Sequence, residues 1–190
     1  MQRTADDLEL VRAFQSGNEA AFDELVRRYR NAVAAFVIAT LGRSSEVEDL
    51  SQEVFLRVHQ ALPRFKPDGS FPAWLYRITI NLCRDEIRKK RLRRFFSLDD
   101  MEPSTSVFRD PSQSSDSATM EHEQQEVILG ALEQVNEKYR TALILREYED
   151  MSYEEIASTL GISEQAVKSR IFRAREHLRE LLKDYYKERI

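Results

Sequence analysis

Lys168, Ser169, Phe172 and Arg173 recur at helical spacing near the C-terminal end of the chain, with Arg170 and Arg175 beside them. On a helix they share one side with Gln165 and Glu176, while Val167, Ile171, Ala174 and Leu178 share the other. The second set makes a core stripe. The first leaves an aromatic ring among cations in water, which does nothing for the stability of the helix that carries it. In a DNA major groove the same side chains have partners. Phe meets a thymine methyl, Arg and Lys reach guanine acceptors, and Ser serves bases or phosphates. Arg170 and Arg175 flank the face, as phosphate-contacting groups do. An ordinary helical hairpin with a partly covered Phe fits the same pattern.

A second group lies in "FPAWLYRITINLCRDEIRKKRLRR" (Phe71–Arg94). Trp74, Leu75, Ile78 and Leu82 form one apolar stripe, and Tyr76, Ile80, Cys83 and Ile87 form another beside it. Opposite runs a narrow strip of Arg77, Asn81, Arg84 and Arg88, suited to tracking a nucleic-acid backbone. Asp85 and Glu86 fall off that strip, so no carboxylate neutralises it in line. The preceding loop brings Phe65, Lys66 and Ser70 next to it, and a loop aromatic among cations can stack on an unpaired base. Loop aromatics also pack back onto their own domain. Enzyme chemistry finds little support. His59, His122 and His177 are scattered, Cys83 lies on an apolar stripe, and no Gly-rich phosphate loop is present. Neither a metal site, a cofactor site nor a nucleophile is indicated.

The elements that must position these groups are all helical. Helices are expected over 5–16, from Asn18 to about Gly42, from Ser45 to Pro63, and from about Pro72 to Arg94. Ser45 with Glu48 has capping-box spacing, and Asp68-Gly69 marks a turn. Helices resume from Met120. Ser152 with Glu155 forms a second capping box, Gly161 ends that helix, and Ser163 caps the next. Ala157, Gly161 and Val167 then satisfy a helix-turn-helix: a small contact residue, a permissive turn residue and a branched core residue. No segment alternates with period two. The fold class is all-α, with two small helical domains over 1–96 and 123–190. "SLDDMEPSTSVFRDPSQSSDS" lies in the intervening stretch, 97–122, and is too polar to offset its ordering entropy, so a flexible acidic linker is expected there.

Charge is segregated along this plan. Residues 1–96 hold 17 Lys+Arg against 13 Asp+Glu, residues 97–126 hold one against eight, and residues 127–190 hold 11 against 12. The net charge of −4 therefore hides a basic first domain, in which "RKKRLRR" (Arg88–Arg94) has six cations in seven residues. A single cysteine excludes an intramolecular disulfide and suits a reduced, intracellular setting. The N-terminus has no apolar run suited to a signal peptide, and no stretch approaches the length of a membrane span. A soluble, cytoplasmic protein without membrane insertion is expected.

"EDLSQEVFLRVHQAL", "FKPDGSFPAWLYRITINLCRDEIRKKR" and "MSYEEIASTLGISEQAVKSRIFRAREHL" resemble, in order, successive regions of bacterial RNA polymerase sigma factors. The extracytoplasmic-function (ECF) subgroup, with only sigma domains two and four, fits best and covers essentially the whole chain. The resemblance implies no enzyme activity. It implies binding to core RNA polymerase, at the beta-prime clamp helices and the beta flap, and recognition of promoter DNA. Asp49, Gln52, Glu53 and Phe55 match the region that binds the clamp helices. The loop around Phe65–Phe71 matches the one that captures a flipped base of the minus-10 element, and Asn81 matches a residue contacting the same strand. Lys168, Ser169, Phe172 and Arg173 match the face that reads the minus-35 element. Lys168 stands where many relatives carry Arg, and lysine lacks the planar fork. "SLDDMEPSTSV" would follow the polymerase channels toward the RNA exit. Family members are often restrained by an anti-sigma factor. A lone duplex-binding repressor would explain the second domain but not the first, and an interaction adaptor would leave Phe172 and Arg173 without a role.

Overall fold

The computed structural model describes residues 2–43, 46–66, 70–96 and 116–187. Helix α1 (Gln2–Gln15) precedes α2 (Glu19–Leu41), on which Leu25, Tyr29, Val33, Phe36 and Val37 are buried at the spacing expected of one helical face. Asn18 sits at the N-cap of α2 with extended backbone, but its side chain makes no cap hydrogen bond. A polar staple joins α1 to α2. Asp7 is fully buried, accepts a 2.5 Å hydrogen bond from the Tyr29 hydroxyl and pairs with Arg28 at 3.1 Å. Arg28 shares Glu24 with Arg27, and their hydrogen bonds, Arg27's foremost, pull the Glu24 carboxyl down to about 2.

Helix α3 (Glu46–Ala61) buries Val54 and Val58 and runs into a 3-10 turn, Leu62–Arg64, that contains Pro63. Helix α4 (Phe71–Phe96) follows, and the Ser70 hydroxyl accepts the Ala73 N–H at its start. Ser45 and the Asp68-Gly69 turn lie outside the described residues. The second half is built of α5 (Asp116–Gln134), α6 (Glu137–Glu147), α7 (Tyr153–Leu160) and α8 (Glu164–Lys187). Helix α5 thus begins inside the stretch 97–122 expected as linker. "ATMEHEQQE" is rich in good helix formers, and that local preference outweighs the polar texture. Residues 97–115 lie outside the described residues, and with them the expectation of a flexible connector.

Among the described residues there is no strand, and no helix is long and apolar enough to cross a membrane. One cluster of buried side chains extends from Val11 and Phe36 in the first half to Ile156 and Ile171 in the second. The halves meet where α2 packs on α5 and α6, and where α4 packs on α7. This contact was not foreseen from the sequence.

Candidate nucleic-acid interface

The geometry of the second half starts at Ser152. Its hydroxyl accepts the Glu155 N–H at 3.2 Å while the Glu155 carboxylate accepts the Ser152 N–H at 2.9 Å, so the capping box closes in both directions. Helix α7 stops at Gly161, which adopts φ 65° and ψ 41°, and the Ile162 N–H returns to the Ala157 carbonyl. Ser163 then caps α8 by accepting the Ala166 N–H at 3.2 Å. Ile156, Ala157, Val167, Ile171 and Ala174 are buried, which fixes how α8 rolls against α6 and α7. That roll leaves Phe172 65% exposed, with Lys168, Ser169 and Arg173 exposed around it. The four side chains share an outward face, as their spacing predicts.

The neighbours of that face are already engaged. Arg173 donates to the Tyr139 hydroxyl at 2.9 Å and lies 5.7 Å from the centre of its ring. The hydrogen bond from Arg173 lowers the pKa of Tyr139. Lys168 sits 5.7 Å from the centre of the Tyr153 ring. Arg175 is exposed but paired with Glu147 at 2.5 Å, and Arg170 is half-buried at the edge of the face. Tyr139 and Tyr153 were missed in the sequence because each is a lone aromatic on another helix. Only the fold brings them to the cations of α8.

In the first half, Arg77, Asn81, Arg84 and Arg88 are all exposed along one line of α4. Leu75, Tyr76, Ile80, Leu82 and Cys83 are buried on the far side, with Trp74, Ile78 and Ile87 half-buried. The strip is less free than its sequence suggests. Arg88 pairs with Asp85 at 2.5 Å, because residues three apart on a helix meet. Arg84 lies 3.5 Å from Glu137 of α6, and Arg77 donates to the Ser158 carbonyl of α7 at 2.8 Å. The expectation of an unneutralised strip is corrected accordingly.

Lys66 is exposed and Ser70 half-buried at the foot of this strip. Phe65 packs 4.8 Å from Trp74 and 6.2 Å from Phe71, ring centre to ring centre. It is half-buried and forms one edge of an aromatic cluster. The backbone on either side is anchored by Gln15, whose amide donates to the Leu62 carbonyl at 2.9 Å and to the Phe65 carbonyl at 2.8 Å.

On α3, Asp49 and Gln52 are exposed and Glu53 is half-buried, paired with Arg57 at 2.7 Å. Phe55 is half-buried and packs against the core. The exposed apolar member of their face is Leu56, which is 58% exposed and lies seven residues after Asp49, two helical turns on. That spacing was the available signal.

Two buried groups lie where the halves meet. Burial, with Glu137 adding to it, pushes the Cys83 thiol up to about 12, so the group stays protonated and unreactive. Arg140 is buried too, and desolvation lowers its pKa. Elsewhere, in the first half, the His59 ring packs edge-on against Phe14 and Phe22.

Comparison with known proteins gives a consistent result. The family model described as sigma-70 region 2 matches residues 25–93, and that described as sigma-70, region 4 matches residues 125–178. The chain is similar to the RNA polymerase sigma-H factor of Pseudomonas aeruginosa, with 33% identity over 96% of each chain. It is similar to the ECF RNA polymerase sigma-E factor of Escherichia coli, with 34% identity over 93% of this chain and 94% of that one. Among solved structures, CnrH in complex with the cytosolic domain of CnrY aligns at TM-score 0.71 and 29% identity, covering 94% of this chain and 98% of CnrH. The sigma factor RpoE of Bartonella quintana, in complex with the anti-sigma factor NepR, aligns at TM-score 0.68 and 26% identity, covering 85% of this chain and 96% of that one.

Proposed function

The chain belongs to the sigma-70 family as an ECF-type RNA polymerase sigma factor, and from that premise we propose how its residues divide the labour. As a sigma factor it binds core RNA polymerase and directs it to promoters for initiation. The outward face of α8, with Lys168, Ser169, Phe172 and Arg173, reads the minus-35 element in duplex form, and Arg170 and Arg175 hold the flanking phosphates. The strip of Arg77, Asn81, Arg84 and Arg88 tracks the non-template strand at the minus-10 element. Phe65, with Lys66 and Ser70 beside it, forms the pocket for an unstacked base. Asp49, Gln52 and Glu53 present the polymerase-binding face, with Leu56 as its apolar centre and Phe55 bracing it from behind.

The observation that carries this assignment is Phe172, 65% exposed on a helix that buries Val167, Ile171 and Ala174 on its opposite side, with Leu178 half-buried beyond them. Stability gives no account of it, whereas a thymine methyl in the major groove does. The mechanism is targeting and capture. Duplex and polymerase contacts place the enzyme, and a waiting pocket offsets the few kcal/mol that unstacking a base costs. The chain does no chemistry itself, works in the cytoplasm, and is restrained by an anti-sigma partner. CnrH bound to CnrY and RpoE bound to NepR are the precedents for that restraint.

Phe65→Ala tests the capture step. The variant should bind core polymerase as the wild type does, yet open promoters more slowly, seen as weaker permanganate reactivity of bubble thymines. Unchanged reactivity would contradict the pocket assignment.

A further inference from the structure

The match to sigma-70 region 2 begins at residue 25, so helix α1 lies ahead of it, and none of the surfaces proposed above includes a residue of α1. Its last residue, Gln15, nevertheless reaches the turn that carries Phe65. One side-chain amide serves two carbonyls there, those of Leu62 at 2.9 Å and Phe65 at 2.8 Å, 47 and 50 positions along the chain. The two carbonyls bracket the 3-10 turn Leu62–Arg64, which the Phe65 N–H closes by donating to the Leu62 carbonyl at 3.1 Å. Leu62 is fully buried and anchors one end of the turn. At the other end Phe65 takes up extended backbone, with φ −65° and ψ 128°, and Gln15 supplies its carbonyl with a donor.

The base from which Gln15 reaches is firmly packed. Phe14 beside it is buried, with its ring 5.6 Å from that of Phe22 and 5.2 Å from that of His59. The Ser16 and Gly17 N–H groups return to the Arg12 and Phe14 carbonyls at 3.0 and 2.9 Å, which closes the end of α1. Further back, Asp7 of α1 accepts from Tyr29, the Tyr29 ring lies 5.5 Å from that of Phe71, and Phe71 meets Phe65. Helix α1 therefore braces Phe65 twice, at its ring through Tyr29 and Phe71 and at its main chain through Gln15. The first brace is core packing. The second is exposed. Hydrogen bonds in water add little to the stability of a fold. Two from one amide do fix the direction of the main chain they hold.

We propose that Gln15 is a positioning residue for base capture: by clipping both ends of the turn from outside, it holds Phe65 in the pose that receives an unstacked base. The inference rests on the assignment of Phe65 to the base pocket. A pocket serves capture only when it is formed before the base arrives, and a pocket formed for part of the time binds with an affinity reduced by that fraction. Gln15 touches no DNA in this account and acts through Phe65.

Gln15→Glu keeps the shape of the side chain and removes both donors, setting a carboxylate against two carbonyls. Because the position is exposed, thermal unfolding should match the wild type. Should the variant melt lower, Gln15→Ala, which adds no charge, takes its place. Holoenzymes assembled from core polymerase and either protein are compared on one promoter fragment, and on copies with an abasic site at each minus-10 position of the non-template strand in turn. The readout is the rate at which bubble thymines become permanganate-reactive. On the intact promoter the variant should open about three- to tenfold more slowly. On the copy that lacks the captured base, variant and wild type should open at the same rate, since the pocket then has nothing to hold. Equal rates on the intact promoter would overturn the proposal. So would the same deficit on every copy, which a general weakening of the domain would give. Phe65→Ala separates the clip from the pocket. Where Phe65→Ala slows opening, adding Gln15→Glu should slow it no further, and an added loss would mean that Gln15 acts elsewhere. Normal opening by Phe65→Ala would overturn the pocket and the clip together, whereas slow opening by Phe65→Ala with normal opening by Gln15→Glu would overturn the clip alone.

Discussion

At the residue scale, Arg173, proposed above to read DNA, is held in place by a neighbour. Its guanidinium rests on Tyr139, through a hydrogen bond to the hydroxyl and a contact with the ring, and so keeps a defined position in the absence of a base. Arg173→Ala should weaken binding to the upstream promoter element by about 1–3 kcal/mol and relax sequence preference at one position. The check is a competition assay on templates substituted one base at a time. An equal loss on every upstream sequence would mean that Arg173 touches phosphate only. The face itself was legible from spacing alone, because Val167, Ile171 and Ala174 fix which side of α8 is buried. Its anchors were not, since Tyr139 stands 34 residues away. Phe55 and Phe65 were legible as aromatics of the first half, but not in their settings. Phe55 packs against the core, and Phe65 leans on Trp74 at 4.8 Å.

At the element scale, the hairpin of α7 and α8 was almost wholly readable, because its signals are local. A capping box, a left-handed glycine and a hydroxyl cap each act within a few residues. Gly161 is the sharpest of them. At φ 65° no atom crowds the space its side chain would fill, so substitution there is opposed by backbone strain alone. Gly161→Ala should cost about 1 kcal/mol, and Gly161→Asn less. Thermal unfolding followed by circular dichroism would show the Ala variant melting roughly 2–4 °C lower. An Ala variant as stable as the wild type would contradict the assigned turn. Helix α4 was readable in its stripes but not in its compensation. Asp85 lies off the strip by spacing, yet side-chain reach brings it to Arg88. The start of α5 at Asp116 was misplaced, because acidic and polar residues can stay helical when few of them are Pro or Gly.

At the scale of the whole molecule, two helical units and their charges could be read, but the seam between them could not. Arg77 meets Ser158 across 81 positions, and Arg140 meets Thr40 across 100. No periodicity or motif encodes such pairs, and a buried arginine held by carbonyls has no local signature. The family assignment says what the chain does for the polymerase. At the seam, Arg77 and Arg84 of α4 are engaged by the Ser158 carbonyl and by Glu137. The central claim is that this protein supplies promoter specificity through the two surfaces proposed above. Run-off transcription with purified bacterial core polymerase on a library of random upstream sequences tests it most directly. Initiation that depends on the protein, from templates sharing two spaced and asymmetric elements, is the predicted result. Absence of stimulation, together with tight binding of the lone protein to a duplex palindrome, would contradict it.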